Sequence, residues 1–209
     1  MIRVLLFDLD GVLVDAKGWH EIALNQALVK YGYSEIPHWQ HLQEFDGLPT
    51  RVKLKKLLDK NLIKETDIAG IKQQKQIHTL ECIQQFCAPD VVKSRMIQEL
   101  AKRYLLGCVS NAVKETVELM LNKTNLRSYF QLILSNEDIQ KPKPDKEIYD
   151  IAYGWFLLNY GIVYRNEFLD IEDNSDGVQA AKAAGVLVAH LQYHEITLER
   201  IKQEIAKYG

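Results

Sequence analysis

Apolar residues follow different spacings along the chain. Residues 4–7 (VLLF) form an apolar run with no polar break, which is typical of a strand buried on both faces of a parallel sheet. Between residues 16 and 89 apolar residues recur at helical spacing, as Leu24 and Leu28 do, and no segment there has a strand pattern. We therefore expect a strand at the start of the chain, followed by an insertion of helices.

The insertion is expected to contain long helices separated by an irregular segment. Three helices are predicted: after Asp15, from Thr50, and over residues 65–86. Between the first two, residues 34–49 contain Pro37, Gly47 and Pro49, which interrupt regular backbone. No regular element is expected in that segment.

The rest of the chain alternates between strand-like and helix-like patterns. Strands are predicted at residues 104–109, 132–134, 167–171 and 186–190, with helices at 91–103, 113–121, 146–157, 175–184 and the end of the chain. Such alternation favours an α/β fold with a Rossmann-like parallel sheet and helices on both faces. The expected domains are an α/β core of residues 1–15 and 90–209 and a small all-helical domain of residues 16–89.

Polar residues close the predicted strands. They are Asp8 and Asp10 after the first strand, Ser110 and Asn111 after the second, Glu172 and Asp173 after the fourth, and Lys141 in the loop KPKPD. Taken alone, Asp8 and Asp10 fit a helix cap and a surface turn as well as they fit a cation site. In a parallel sheet the carboxyl ends of the strands meet at one edge, where ligands bind. The whole set therefore predicts a site with chemical function.

These residue types suit phosphoryl transfer. Carboxylates without His or Cys partners are the ligands that Mg²⁺ prefers. Ser110 and Asn111, at a strand-to-helix junction, offer donors to an anion, and Lys141 supplies a positive charge. A carboxylate such as Asp8 can attack phosphorus, while a second one, Asp10, protonates the leaving group and later activates water.

Composition narrows the class of protein. The chain has 209 residues, 47% hydrophobic and 26% charged, with a formal net charge of −2, so electrostatics give no reason to expect nucleic-acid or membrane binding. Its three cysteines lack metal-site spacing, and acidic residues interrupt the first apolar run before a signal peptide could form. We expect a soluble, cytoplasmic protein, either a monomer or a small homo-oligomer.

Four motifs in order carry a family resemblance: DLDGVLVD, SNA, KPKPD and IEDNSDGVQAAKAAG. They resemble the haloacid dehalogenase-like superfamily, and within it the branch of β-phosphoglucomutase and phosphoglycolate phosphatase, which carries a helical cap after the first motif. The resemblance implies Asp8 as the nucleophile, Asp10 as the general acid/base and Ser110 as a phosphate ligand. It also implies Lys141 as the third-motif lysine, chosen over Lys143 because it precedes Pro-x-Pro-Asp.

The same resemblance implies a Mg²⁺ site. Its ligands would be the carboxylates of Asp8 and Asp173 and the backbone carbonyl of Asp10. Glu172 would join them directly or through water.

Candidates in the helical insertion are weaker. His20 resembles a histidine near the cap hinge that assists catalysis in the mutases, although a backbone-bonding hinge residue explains it equally well. Gly47 and Arg51, in the segment FDGLPTR, resemble a cap loop that contacts substrate, and an ordinary surface arginine is the alternative for Arg51. The aromatic stretch 153–164 is interpreted as core rather than as an exposed contact surface.

The function expected is that of a Mg²⁺-dependent phosphatase, which hydrolyses a small phosphorylated metabolite through an aspartyl-phosphate on Asp8. A sugar-phosphate mutase with the same core is the close alternative. A phosphorylatable signalling or binding module is disfavoured, because a switch gains nothing from the acid/base Asp10 or from an inserted cap.

Overall fold

The chain, described from residue 1 to residue 208 in a computed structural model, divides into two compact units. The helical unit comprises Ala16–Cys87, and the α/β unit comprises Met1–Asp15 together with the chain from Ala88 onward. The helical unit thus starts at the predicted residue and ends two residues before the predicted boundary. In the described part of the chain, no helix is both long and apolar enough to cross a membrane.

The helical unit contains four α-helices. They are α1 (Lys17–Lys30), α2 (His38–Glu44), α3 (Thr50–Asp59) and α4 (Ile68–Phe86), with a 3-10 turn at Glu65–Asp67 before α4. Its core is a cluster of aliphatic side chains around the fully buried Phe45. The helices α1, α3 and α4 each bury one side in this cluster, whereas α2 buries only His41.

The helix α2 contradicts the expectation that residues 34–49 are irregular. Pro37 precedes α2 with φ −58° and ψ 144°, and Pro49 precedes α3 with φ −60° and ψ 148°. A proline lacks only an N–H that the first turn of a helix does not use, so each proline starts a helix here rather than preventing one. Gly47, at φ +70°, makes the turn between the two helices.

The α/β unit is built on five parallel strands. They are β1 (Val4–Phe7), β2 (Leu105–Val109), β3 (Leu132–Leu134), β4 (Phe168–Glu172) and β5 (Leu187–His190), in the spatial order β3-β2-β1-β4-β5. The helices are α5 (Val91–Leu100), α6 (Lys114–Lys123), α7 (Glu147–Tyr160), α8 (Ser175–Ala183) and α9 (Leu198–Ala206), with 3-10 turns at Arg127–Tyr129, Arg165–Glu167 and Tyr193–Glu195. The predicted α/β class is confirmed.

Strand β1 lies at the centre of the sheet. All four of its residues are fully buried, and it pairs with β2 on one side and β4 on the other, so that Leu6 lies between Gly107 and Asp170. The uninterrupted apolar run therefore reflects burial on both faces. The chain that leaves β1 enters the carboxyl edge of the sheet between two neighbouring strands.

The stretch 153–164 is only partly core. Phe156 and Ile162 are fully buried, and Phe156 packs edge-on against Phe168 of β4. Leu158 is 86% exposed and Tyr164 is 67% exposed. The interpretation of this stretch as core was therefore wrong for its outward-facing half.

Candidate active site

Acidic side chains from two neighbouring strands meet at the carboxyl edge of the sheet. Phe7 of β1 pairs with Ile171 of β4, so the next residues, Asp8 and Glu172, lie side by side. Carboxylate oxygens of Asp8, Glu172 and Asp173 all lie within 4.8 Å of one another. Glu172 and Asp173 are buried. This juxtaposition of the first and fourth motifs is the one that the sequence predicts.

Lys143 is the cation of this cluster. Its Nζ donates to Asp8 Oδ1 at 2.9 Å, to Glu172 Oε1 at 2.5 Å and to the backbone carbonyl of Val109 at 2.9 Å, and its side chain is 3% exposed. All three donor positions of the ammonium group are used. Lys143 therefore joins the end of β2 to the carboxylates that follow β1 and end β4.

The prediction that Lys141 occupies this position is wrong. Lys141 is exposed, and its backbone N–H donates to Glu147 Oε2 at 2.8 Å while that of Gln140 donates to Glu147 Oε1 at 3.0 Å. Glu147 is the first residue of α7, so its carboxylate ties residues 140 and 141 to the start of that helix. Held there, the loop brings the second of its two lysines to the carboxylates.

Asn111 fixes the backbone of Lys143. Its Oδ1 accepts from the N–H of Lys143 at 3.1 Å, and its Nδ2 donates to the carbonyl of Lys143 at 3.3 Å. Asn136 Nδ2 in turn donates to the carbonyl of Asn111 at 2.8 Å. The oxygen and one N–H of the Asn111 side chain thus bind the chain itself, and the phosphate-binding role of Asn111 stays a prediction.

Ser110 and Asp10 lie close to the carboxyl ends of β2 and β1. Ser110 is buried directly after β2, and its Oγ accepts from the N–H of Ala112 at 3.0 Å, so that its O–H stays available as a donor. Asp10 lies in a turn that Gly11 closes with φ +86° and an N–H to Val14 carbonyl bond of 2.7 Å. The turn brings Val14 back beside Asp10 before the chain leaves the α/β unit.

Burial and charge oppose each other at Asp8. Burial raises the pKa of Asp8 above its ordinary value, the positive charge of Lys143 lowers it, and the charge of Asp10 raises it again. Burial alone would lower the pKa of Lys143, but the attraction of Asp8 and Glu172 outweighs it and the pKa is raised, so Lys143 carries a charge. Burial likewise raises the pKa of Glu172 well above its usual range. One ammonium thus faces three carboxyl groups, and a further cation would favour their charged forms.

Three residues close to Glu172 were not predicted to belong to the site: Asp170, Tyr149 and Gly177. Asp170 is fully buried on β4, and its Oδ2 accepts from the Tyr149 hydroxyl at 2.7 Å. Burial, opposed by Lys143, raises the pKa of Asp170 to about 7. Gly177 of α8 lies so close that an added Cβ would be 1.9 Å from Glu172 Oε1. Of these three residues, only Asp170 could have been recognised from the sequence, because it is an acidic residue within the apolar strand FLDIE.

The weaker candidates lie in the helical unit. His20 of α1 places Nδ1 3.2 Å from Lys75 Nζ, Gly47 lies between α2 and α3, and Arg51 is exposed in the first turn of α3. A contact between a substrate and any of these three residues stays a prediction.

Comparison with known proteins identifies relatives along most of the chain. Residues 5–191 match the family described as haloacid dehalogenase-like hydrolase. A protein of Photorhabdus laumondii named phosphoglycolate phosphatase is 27% identical over 203 residues, which covers 92% of this chain and 81% of that protein. A protein of Thermotoga maritima named phosphorylated carbohydrates phosphatase is 24% identical over 188 residues, covering 88% and 82%. The crystal structure of a β-phosphoglucomutase of Clostridium difficile, 19% identical, shares the fold with a TM-score of 0.79 over 100% of this chain and 99% of that one.

Proposed function

Because the chain belongs to the haloacid dehalogenase-like hydrolase family, we propose that it is a phosphatase that hydrolyses a small phosphorylated metabolite through an aspartyl-phosphate on Asp8. The observation that carries the proposal is the contact of Lys143 with Asp8 and Glu172 inside a cluster of three carboxylates. A buried lysine on the nucleophile lets a carboxylate stay charged where burial would protonate it, and it attracts an anionic phosphoryl group.

The reaction has two balanced steps. In the first, a carboxylate oxygen of Asp8 forms a bond to phosphorus, the bond from phosphorus to the ester oxygen breaks, and Asp10 gives its proton to the leaving alkoxide. In the second, Asp10 takes a proton from water, whose oxygen attacks phosphorus and releases phosphate and the carboxylate of Asp8. Lys143 keeps its proton throughout and stabilises the charge on the transferred group.

The donor set fits Mg²⁺. The clustered groups are carboxylates with no His or Cys among them, and they outnumber the one ammonium group of Lys143. We propose Asp8 and Asp173 as its protein ligands, together with the backbone carbonyl of Asp10. When bound, the ion would supply positive charge to the phosphoryl oxygens.

The substrate class is proposed from the relatives. Those named phosphoglycolate phosphatase and phosphorylated carbohydrates phosphatase support a small phosphorylated acid or sugar. A sugar-phosphate mutase differs only in passing the phosphoryl group to a second substrate hydroxyl instead of to water, so one experiment can separate the two.

The test is a panel of phosphorylated metabolites with release of inorganic phosphate as the readout. The panel includes phosphoglycolate and hexose 1-phosphates, and the hexose reactions are also analysed for isomerised product. We expect phosphate release that needs Mg²⁺ and that disappears in Asp8→Asn, an isosteric variant whose amide is a far poorer nucleophile. Isomerised product without phosphate release would assign the mutase instead, and turnover that persists in Asp8→Asn would refute the covalent mechanism.

A further inference from the structure

A second acidic layer lies beneath the active-site carboxylates. Asp170 precedes Glu172 by two residues on β4, so both side chains project from the same face of the sheet. Across the sheet, Asp170 pairs with Leu6 of β1 and Val188 of β5, which are apolar. Asp170 is fully buried. A carboxylate in such a place is costly unless a hydrogen bond or an opposite charge compensates it, and buried ionisable groups of this kind cluster at functional sites.

Tyr149 links this layer to the active site. Its hydroxyl lies 2.7 Å from Asp170 Oδ2 and 3.4 Å from Glu172 Oε1, and Lys143 Nζ lies 5.4 Å from the centre of its ring. Tyr149 is fully buried two residues after Glu147, the residue that ties down the loop before Lys143. One side chain thus contacts both acidic layers and the lysine.

The single hydroxyl proton of Tyr149 can be donated to only one carboxylate at a time. The distances show that Asp170 receives it. Glu172 Oε1 is therefore left to accept from Lys143 at 2.5 Å. Without an acceptor at position 170, the hydroxyl would turn to Glu172 Oε1, which already accepts from Lys143, and a second donor there would weaken the contact with Lys143.

We propose that Asp170 and Tyr149 are positioning residues for the phosphatase reaction: Asp170 holds the Tyr149 hydroxyl away from Glu172, so that Glu172 stays bound to Lys143 and Lys143 stays on Asp8. The reactive consequence rests on the proposed function, whereas the hydrogen-bond geometry does not. A buried pair that served the fold alone would be replaceable by apolar residues with little effect on catalysis. The two roles therefore predict different kinetics.

The first experiment compares crystal structures of the wild type and Asp170→Val. In the variant we expect the distance from the Tyr149 hydroxyl to Glu172 Oε1 to shorten from 3.4 Å to about 2.7 Å, a normal O–H···O bond, with Lys143 moving away from Glu172. An unchanged Tyr149–Glu172 distance would overturn the proposal whatever reaction the enzyme catalyses. Asp170→Asn, which keeps an oxygen acceptor, serves if the valine variant does not fold, and it should retain the wild-type geometry.

The second experiment measures kcat and KM for a phosphate ester that the wild type hydrolyses. We expect kcat to fall about tenfold or more in Asp170→Val, with KM nearly constant, because a displacement of about 1 Å near the chemistry costs up to about 100-fold. In Tyr149→Phe the competing hydroxyl is gone, but the buried carboxylate of Asp170 loses its donor and attracts Lys143 away from Glu172, so kcat should fall there as well. The double variant has neither the competing hydroxyl nor an uncompensated carboxylate, so it should be faster than either single variant. Asp170→Asn should stay close to the wild type.

The matched control is Tyr153→Phe, one turn further along α7. Its hydroxyl donates to the backbone carbonyl of Val163 at 2.7 Å, away from the carboxylates, so kcat should not change. If the single variants keep the wild-type kcat, or if the double variant is slower than both, the positioning role is refuted. If the wild type hydrolyses no phosphate ester at all, the proposed function fails and the crystallographic comparison alone decides the hydrogen-bond arrangement.

Discussion

Lys143 is the residue on which the charge balance of the site depends. It is buried, it contacts two carboxylates and a carbonyl, and it counteracts the effect of burial on the pKa of Asp8. Removing one partner of a buried ion pair leaves the other partner's charge uncompensated. Asp8 would then gain a proton more readily and lose its nucleophilicity.

The variants Lys143→Met and Lys141→Met form a matched pair two residues apart. We expect Lys143→Met to lower kcat by about 10²- to 10³-fold, the effect of losing one preorganised charge contact. Lys141→Met should stay within about twofold of the wild type, because the Lys141 side chain is exposed and only its backbone N–H is tied to Glu147. Steady-state kinetics, with circular dichroism as a check on folding, provide the measurement. Equal effects of the two substitutions would contradict the assignment.

Much of the site could be predicted from local sequence, because its residues follow strands that are themselves easily predicted. Asp8 and Glu172 are adjacent simply because parallel strands end at one edge. The lysine could not be chosen in this way, since Lys-Pro occurs twice in KPKPD. Asn111, which is 32 residues away in sequence, binds the backbone of Lys143 and thereby places this lysine, rather than Lys141, in the site.

At the level of elements, α8 lies directly against the active-site residue Glu172. Gly177 leaves the space that the carboxylate of Glu172 occupies, and a methyl group there would overlap that carboxylate. Lys143 donates to the same oxygen of that carboxylate, so Glu172 cannot move away from Gly177 without disturbing the contact with Lys143. The glycine is thus needed for space; it lies within a regular helix.

The variants Gly177→Ala and Gly154→Ala test whether Glu172 needs the space beside Gly177, because they place the same substitution in two different helices. Gly154 of α7 has no atom within 4 Å of an added Cβ, so alanine there should leave kcat unchanged and raise stability by about 0.5–1 kcal/mol. Gly177→Ala should displace Glu172, lower kcat about tenfold or more and gain none of that stability. Kinetics and thermal unfolding provide the readouts. A Gly177→Ala enzyme with wild-type kcat would show that Glu172 can move without consequence.

The elements that sequence patterns predicted well are those with strong periodicity or a continuous apolar run. β3 was predicted at its observed residues, and β1, buried on both faces, was recognised by its apolar residues alone. The seven-residue α2 was missed because its neighbouring prolines suggest irregular backbone until their positions relative to the helix starts are known. The outward face of α7 was misjudged because Leu158 is apolar but lies on the surface.

At the scale of the whole molecule, each unit has its own core, and the helical unit contains a titratable group that belongs to no site described above. His41 is 2% exposed, and burial, assisted by Lys53 and opposed by Glu21, lowers its pKa to about 4. Its Nε2 is buried without a hydrogen-bond partner in the described chain. The folded state therefore favours the neutral form of His41.

Acid should destabilise the helical unit through His41. The unfolded state takes up a proton near pH 6.5, whereas the folded state does so only near pH 4, so stability falls as the pH decreases between these values. We expect a loss of about 3 kcal/mol that is absent in His41→Gln, with the exposed His194→Gln as the control. Urea unfolding at several pH values provides the test, in a Trp155→Phe background where Trp19 and Trp39 report on the helical unit. Parallel pH profiles for His41→Gln and the wild type would contradict it.

The central place of β1 has a consequence during synthesis. Its sheet partner on β2 begins at Leu105, ~100 residues after Phe7, and its partner on β4 comes later still. At the usual rate of translation, β1 leaves the ribosome about 5 to 20 s before either neighbour exists. The helical unit is contiguous in the chain and is complete within that interval. The order of synthesis thus lets the inserted helices form their own core before β1, the strand that precedes the proposed nucleophile, can pair with either of its neighbours.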